Sequence, residues 1–151
     1  MSMILIADNN KCNGCRLCEL VCSLYHDKTV SPLKSRIEII EVKETVNVPI
    51  FCFQCDDAVC MQVCTVNAIT RDEAGRVKID KDKCINCKAC AIACPFGAIG
   101  LDASGRVFKC DLCDPGPPKC VEICPVNALS FEQPDKLTYK KKMKIAEKLL
   151  I

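Results

Sequence analysis

Sixteen cysteines in four short runs are the residues of this 151-residue chain with the clearest capacity for chemistry. The four runs, here called the first to fourth groups, are Cys12, Cys15, Cys18, Cys22; Cys52, Cys55, Cys60, Cys64; Cys84, Cys87, Cys90, Cys94; and Cys110, Cys113, Cys120, Cys124. Thiolates at such close intervals are ligands for soft metals and for iron–sulfur centres. The spacing therefore predicts that inorganic ligation supplies much of the stability that apolar packing normally supplies.

The third group has the clearest spacing, C-x2-C-x2-C-x3-C-P over residues 84–95. Its first three thiolates can hold three corners of one [4Fe–4S] cube, while the fourth lies beyond a short helical turn and reaches a different cube. Pro95 ends that turn. The first group has the same spacing but carries Ser23 in place of the proline, and the second and fourth groups have wider central gaps. The four groups together predict four [4Fe–4S] clusters with all sixteen cysteines as iron ligands.

Two other uses of clustered cysteines fit this chain poorly. A disulfide framework belongs to an oxidising compartment and usually follows a secretory signal, whose features the N-terminal sequence MSMILIADNNKC lacks. A zinc protein usually separates its CxxC pairs by a dozen or more residues and uses four ligands per ion. Here three or four cysteines crowd into one short loop, which favours iron–sulfur clusters over zinc.

The sequence around the groups repeats. Cys64-Thr-Val-Asn-Ala-Ile, Cys94-Pro-Phe-Gly-Ala-Ile and Cys124-Pro-Val-Asn-Ala-Leu follow one another at 30-residue intervals. Residues 68–79 and 98–109 share Ala, Ile, Asp, Gly, Arg and Val at the same offsets, and each segment predicts a β-hairpin with a glycine in its turn. The repeating unit is therefore a ligand loop, a helical turn and a hairpin, which predicts an α+β fold of tandem bacterial-ferredoxin-like lobes with a pseudo-symmetric arrangement.

Two segments lie outside the repeat. Residues 36–44 and 46–51 are rich in β-branched residues and predict a strand pair, and the basic C-terminal segment predicts an amphipathic helix. Its lysine run is short and has no interleaved aromatic residues, so we expect no nucleic-acid partner. The predicted domains are a first lobe of residues 1–22 plus 105–131, a β insert of residues 23–51, a second lobe of residues 52–104 and a C-terminal helix of residues 132–151.

The cysteine plan resembles that of the four-cluster, ferredoxin-type iron–sulfur subunits that serve molybdenum- and tungsten-containing oxidoreductases and some hydrogenases. The resemblance spans roughly residues 8–131 and rests on the segments KCNGCRLCELVCS, SPLKSRI, PIFCFQCDDAVCMQVC and KCDLCDPGPPKCVEICP. The chain is most similar to the small electron-transfer subunit of tungsten aldehyde oxidoreductase-type enzymes. The resemblance implies an iron–sulfur electron-transfer subunit with no catalytic site of its own.

The resemblance also implies which cysteines share a cluster. Spacing alone leaves open whether the second group exchanges a ligand with the third, or the third with the fourth. Members of the family pair the first group with the fourth and the second with the third. Carried over to this chain, the four ligand sets are set I (Cys12, Cys15, Cys18, Cys124), set II (Cys22, Cys110, Cys113, Cys120), set III (Cys52, Cys55, Cys60, Cys94) and set IV (Cys64, Cys84, Cys87, Cys90).

The partners implied by the resemblance are a catalytic metalloenzyme subunit, expected to be an aldehyde-oxidising tungsten or molybdenum enzyme, and a second redox protein or a flavin/NAD subunit. The protein is thus expected to be part of a hetero-oligomer. A hydrogenase, a formate- or benzoyl-CoA-linked complex, and a freely diffusing polyferredoxin are the alternatives. No segment is apolar enough to insert in a membrane and no leader is evident, so we expect a cytoplasmic location.

Few other residues suggest chemistry. His26 is the only histidine, and we expect it to be an exposed loop residue. Its alternative role is to couple a proton to the cluster of Cys22. Lys88 and Arg16 lie within ligand loops, and we expect their charges to be solvated. The alternative is that these two charges raise the potentials of the neighbouring clusters. Residues 114–119, DPGPPK, predict a stiff exposed loop that either docks a partner or only closes a turn.

Overall fold

The computed structural model describes residues 3–149, which form short strands and helices in the order predicted by the repeats. The strands are β1 (Ile4–Ala7), β2 (Ile37–Val42), β3 (Val46–Phe51), β4 (Ile69–Arg71), β5 (Val77–Ile79), β6 (Ile99–Leu101), β7 (Val107–Lys109) and β8 (Leu129–Glu132). The helices are α1 (Leu17–Asp27), α2 (Val59–Gln62), α3 (Ala89–Ala93), α4 (Lys119–Ile123) and α5 (Pro134–Leu149), and a 3-10 turn covers Pro32–Lys34.

All four strand pairs are antiparallel: β1 with β8, β2 with β3, β4 with β5, and β6 with β7. The β4–β5 and β6–β7 pairs are the predicted hairpins. In their turns the carboxylates of Asp72 and Asp102 accept the backbone N–H groups of Arg76 and Arg106, at 2.8 and 2.9 Å. The β1–β8 pair brings together strands from near the two ends of the chain. In the first lobe this pair stands where the repeats have a hairpin.

The strands and helices enclose two cores in which cysteines replace many of the usual apolar side chains. The first core consists of Leu5, Cys18, Cys22, Ile37, Ile39, Phe51, Cys110, Leu112, Cys120 and Leu129. The second core consists of Ala58, Ile69, Val77, Cys90, Ile99 and Val107. Two cores built from short helices and strands are the predicted α+β fold with two ferredoxin-like lobes.

The boundary drawn from the sequence at residue 105 divides the β6–β7 hairpin at its turn. Val107 of β7 is 7 % exposed and packs in the second core, because β7 is held by its backbone pairing with β6. We therefore place β7 in the second lobe and begin the returning part of the first lobe at Cys110, which packs in the first core.

The β insert packs on the first lobe. Ile37, Ile39 and Phe51 are almost fully buried in the first core, so alternate positions of β2 point inward while their neighbours face solvent. At the far end of the hairpin, Asn47 lies against the first ligand loop. A Cβ at Gly14 would stand only 2.6 Å from Asn47 Oδ1, so a larger residue would displace the Asn47 side chain, and the φ of 72° at Gly14 itself favours glycine.

An ion-pair network links the second lobe to the loop of the fourth group. Arg76 and Lys78 of the β4–β5 hairpin both bind Asp114, and Lys78 Nζ also lies 2.8 Å from Asp72 Oδ2. Lys78 and Arg76 hold the pKa of Asp72 well below its ordinary value. The 114–119 loop is thus exposed only in part: its first residue is bound to the other lobe and Pro118 is buried, whereas Pro115 and Pro117 face solvent.

Helix α1 is longer than α2, α3 and α4. Ser23 permits the longer helix but is not its only cause, because α2 also ends before its last cysteine although Thr65, and not proline, follows that cysteine. The helix runs past Cys22 to Asp27, whereas α3 and α4 end just before Cys94 and Cys124, each of which precedes a proline. Ser23 is fully buried; its hydroxyl donates to Leu20 O and accepts the N–H of Ser31 at 3.1 Å. The serine therefore both permits the longer helix and fixes the chain that returns from it.

Helix α5 extends from β8 with most of its side chains exposed, which confirms the predicted C-terminal helix. Lys140 Nζ lies 2.8 Å from the carboxylate of Glu132 and ties the helix to the end of β8. The last two residues of the predicted 132–151 segment lie outside the described residues. Over residues 3–149, none of the helices combines the length and the apolar character that crossing a bilayer requires.

Replacing Ser23 with proline should destabilise the protein by about 3 kcal/mol, because proline removes a helical hydrogen bond and clashes with the preceding turn. The matched control is Thr65→Pro. Thr65 follows Cys64 in a turn equivalent to the one in which Pro95 follows Cys94. The N–H of Thr65 makes no backbone hydrogen bond within residues 3–149. Anaerobic chemical unfolding followed by circular dichroism checks both variants. Equal losses in the two would contradict the role given to Ser23.

Replacing Asp114 with asparagine should lower the stability of the protein by on the order of 1 kcal/mol, because the partly exposed network loses its shared carboxylate. The same unfolding measurement checks this, and Asp82→Asn is the control because Asp82 is exposed and forms no ion pair in the part of the chain described. A loss no larger than that of the control would show that the network does not join the lobes.

Candidate metal centres

The four ligand loops share one backbone feature. The residue just before the second cysteine of each group has a positive φ: Gly14 (72°), Gln54 (53°), Asn86 (59°) and Leu112 (61°). Left-handed backbone is uncommon for residues other than glycine, so each loop is held there by its surroundings. This conformation turns the chain sharply between the first two cysteines. Sequence reasoning missed it, since only Gly14 hints at a special conformation.

Two of these residues also fasten their loops to a hairpin. Gln54 is buried; its Oε1 accepts the N–H of Val77 at 2.7 Å and its Nε2 donates to Cys110 O at 2.8 Å. Asn86 does the same one repeat later, bonding Val107 N–H at 3.0 Å and Gly105 O at 2.9 Å. Both amides fix the ligand loops relative to the strands, and Gln54 does so across the two lobes.

The cysteines of three predicted sets each come together around one cavity. All four members of set I line one cavity, as do all four members of set III and all four of set IV. In set II, Cys22, Cys110 and Cys120 are buried together in the first core, and the thiols of Cys110, Cys113 and Cys22 add to the effect of burial in raising the pKa of Cys120. The structure therefore brings together the same four sets that the family resemblance implies.

The electrostatic influences between cysteines indicate which ligand sets are adjacent in space. Beyond the effect of burial, the pKa of Cys120 in set II is raised by Cys18 of set I. The pKa of Cys110 in set II is likewise raised by Cys52 of set III, and that of Cys90 in set IV by Cys60 of set III. The two cores agree with these adjacencies: Cys52 of set III packs against the first core, whereas Cys60 of set III packs with Cys90 of set IV in the second core. Set III therefore lies between set II and set IV.

Backbone N–H groups point at several of the sulfurs. The five bonds run from Arg36 to Cys22, Ala68 to Cys64 and Ala128 to Cys124 at 3.2 Å, and from Gln54 to Cys52 and Leu112 to Cys110 at 3.4 Å. Such bonds favour the thiolate over the neutral thiol and would stabilise negative charge on a bound cluster.

Burial opposes ionisation of the thiols. It raises the pKa of Cys18 and of Cys110 to about 12, and it also raises the pKa of Cys22, Cys60 and Cys113. Thiols with a raised pKa stay protonated near neutral pH, whereas metal ligands are thiolates. Loading of these sites would therefore release protons.

The donor sets fit [4Fe–4S] clusters. Each set offers four thiols around a cavity, and each thiolate of such a cluster binds a different iron, so the ligands stand apart from one another. Within the described chain, no group of three or more His, Cys, Asp or Glu side chains is arranged to hold a single metal ion. The N–H groups at the sulfurs supply the hydrogen bonds that tune iron–sulfur centres.

His26 is not the exposed loop residue expected from the sequence. It lies in the last turn of α1 with 8 % of its side chain exposed, and its Nε2 stands 3.7 Å from Cys113 Sγ and 3.5 Å from Asp111 Oδ1. Burial lowers its pKa, and the nearby charge of Arg36 lowers it further. The prediction was wrong because α1 continues past Cys22, which carries His26 into the interior beside set II.

Arg16 and Lys88 are exposed, as expected of solvated charges. Each stands at the start of a ligand-bearing helix with a positive φ. Half of the Arg16 side chain is accessible to solvent, and its Nη1 pairs with Glu19 Oε1 at 3.3 Å. Solvent and the Glu19 carboxylate both screen the charge of Arg16. We therefore expect Arg16 to have little effect on the potential of a cluster held by set I.

Comparison with known families supports this description. The 4Fe–4S dicluster domain matches residues 43–134, a range that contains the second, third and fourth groups. The first group lies outside the matched range.

Several characterised or named proteins resemble the chain. It is 48 % identical over 117 residues to the aliphatic sulfonate oxidoreductase, polyferredoxin-like subunit of Pyrococcus furiosus, covering 76 % of this chain and 67 % of that protein. It is 41 % identical over 150 residues to the putative electron transport protein YsaA of Escherichia coli, covering 91 % and 94 % of the two chains. It is 35 % identical over 166 residues to formate hydrogenlyase subunit 2 of the same species, covering 85 % and 81 %.

A solved structure shares the fold. The active site complex BamBC of benzoyl coenzyme A reductase, as isolated, contains a chain that is 28 % identical to this one and superposes on it with a TM-score of 0.53. The match covers 99 % of this chain and 89 % of the other.

Proposed function

This chain belongs to the 4Fe–4S dicluster domain family of ferredoxin-like electron-transfer proteins, and on that premise we propose that it carries four [4Fe–4S] clusters as an electron-transfer subunit of an oxidoreductase complex. The observation that carries the proposal is the gathering of sixteen cysteines into four sets of four, three of which each line one cavity.

The four sets would hold one cluster each, with every set combining three cysteines of one group and one cysteine of another. When bound, a [4Fe–4S] cluster accepts and releases one electron at a time. The chain's own residues hold the thiolates in place, donate N–H groups to the sulfurs and exclude water from the buried sets. The adjacency of the sets, with set III between set II and set IV, supports a role in carrying charge through the molecule.

Association with a catalytic subunit is supported by the names of the relatives. They include subunits of an aliphatic sulfonate oxidoreductase and of formate hydrogenlyase, and a chain of a benzoyl coenzyme A reductase complex. We propose a hetero-oligomer in which this chain is non-catalytic. An aldehyde-oxidising tungsten or molybdenum subunit as the partner, a flavin/NAD or other redox protein at the far end, and a cytoplasmic location stay predictions of the sequence.

Anaerobic purification of the native protein tests the proposal. We expect a brown protein with about sixteen irons and as many acid-labile sulfides per chain, because four cubes need that number. Reversible reduction followed by electron paramagnetic resonance should show several cluster signals. A colourless protein with about four zinc ions and no sulfide would overturn the proposal.

The size of the native protein in the same preparation distinguishes a subunit from a free carrier. Co-elution with a larger chain is expected for a subunit. Elution alone at monomer size would instead support a freely diffusing polyferredoxin, the alternative to a subunit.

The variant Cys94→Ser tests how the cysteines are shared. Cys94 belongs to the third group of the sequence, but it lines the cavity of set III, whose other cysteines come from the second group. The substitution should therefore alter the signal of the set III cluster and leave that of set IV, which holds the rest of the third group, unchanged. The reciprocal variant, Cys64→Ser, should alter the set IV signal and spare set III. Redox titration of both proteins with paramagnetic resonance detection provides the measurement. The opposite pattern would refute the sharing of ligands between groups.

A further inference from the structure

A lysine is buried at the junction of the two lobes. Lys109, the last residue of β7, is 4 % exposed and immediately precedes Cys110 of set II. Its Nζ donates to the carbonyl oxygens of Val77 and of Cys110, the latter at 3.1 Å. These are neutral acceptors, and they occupy two of the three N–H donors of the ammonium group.

No carboxylate of the described chain lies within ion-pairing distance of Lys109 Nζ. The other buried charged side chain behaves differently: the carboxylate of Glu19 accepts the N–H of Ile39 at 2.6 Å and also pairs with Arg16. An ammonium group that is removed from water without an opposite charge is strongly unfavourable. Lys109 therefore lacks a counter-charge among the side chains, although its position demands one.

Set III lies beside this ammonium group. Lys109 lines the same cavity as the four cysteines of set III. Burial raises the pKa of Cys60 in that set, and the charge of Lys109 is the largest influence in the opposite direction. The negative charge that Lys109 lacks is thus available from ligands of set III once they are thiolates, and from the net negative charge of a cluster that they hold.

We propose that Lys109 is the fixed counter-charge of the set III cluster and raises its midpoint potential. The inference rests on the proposed function. Reduction adds one electron from an external donor to the cluster and moves no proton, while Lys109 keeps its positive charge in both states. A buried positive charge stabilises the more negative, reduced state, and low local polarisability keeps this effect strong. Lys109 therefore favours the reduced state of the set III cluster, which lies where the two lobes meet.

The test compares Lys109→Met with Lys88→Met in the intact, anaerobically purified protein. Lys88 is the matched control because it lies beside set IV but is exposed. Iron and sulfide content are measured first, and each signal is then titrated at low and at high salt. We expect one signal, the one altered in Cys94→Ser, to titrate at a more negative potential in Lys109→Met, with the shift retained at high salt. Lys88→Met should show no shift at high salt, because salt screens an exposed charge.

Two further variants keep the test decisive if Lys109→Met fails to hold its clusters. Lys109→Gln removes the charge with a polar side chain, and Lys109→Arg retains it. Loss of the set III cluster in both neutral variants but not in Lys109→Arg would also support the counter-charge. Neutral variants with full iron content and wild-type potentials would overturn the inference, as would loss of the cluster in all three variants, which would indicate a steric role. A wild-type protein without iron and sulfide would instead refute the proposed function.

Discussion

The gathering of four thiols at each of four points in the interior is the constraint on which the rest of this structure depends. The helices α2, α3 and α4 have four or five residues, and several strands have three, so none of them is stable by itself. The two cores contain few large apolar side chains, with Phe51 the largest that is fully buried. Cysteines fill the remaining core positions, which makes ligand binding and folding two aspects of one process in a protein of this kind.

The repeat pattern is broken in the first lobe, and the breaks follow from single residues. Because Ser23 stands where the third and fourth groups have proline, α1 can continue and carries His26 beside Cys113. The chain then returns through the insert, whose Arg36 donates its backbone N–H to Cys22 Sγ and pairs with Asp111. Set II thus has His26 and Arg36 as polar neighbours, whereas Asn86 and Lys88 line the cavity of set IV. Two lobes derived from one repeating unit therefore offer different surroundings to their metal centres.

The sequence predicts well what depends on spacing and poorly what depends on tertiary packing. The hairpins at 68–79 and 98–109 and the sets of cysteines follow from local repeats and from the family plan, and the structure has both. The left-handed backbone at Gln54 and Asn86 could not be predicted, since each is stabilised by a bond to a distant hairpin. The burial of Lys109 could not be predicted either, because lysine is usually exposed and nothing in the local sequence indicates otherwise.

Burial in the interior opposes charge on the free thiols, whereas the backbone N–H groups and Lys109 favour negative charge at the ligand sets. Thiols such as Cys18 and Cys110 are kept neutral by burial, while backbone N–H groups already point at sulfurs that would be stabilised as thiolates. Lys109 adds a positive charge that no carboxylate within residues 3–149 pairs with. Without a metal centre, the charge of Lys109 is unbalanced and the backbone N–H groups face neutral thiols. Both features become favourable when thiolates bind a metal centre, because the thiolates and the cluster supply negative charge. The folded chain therefore carries a local electrostatic penalty that ligation relieves, which couples the loading of the clusters to the stability of the fold.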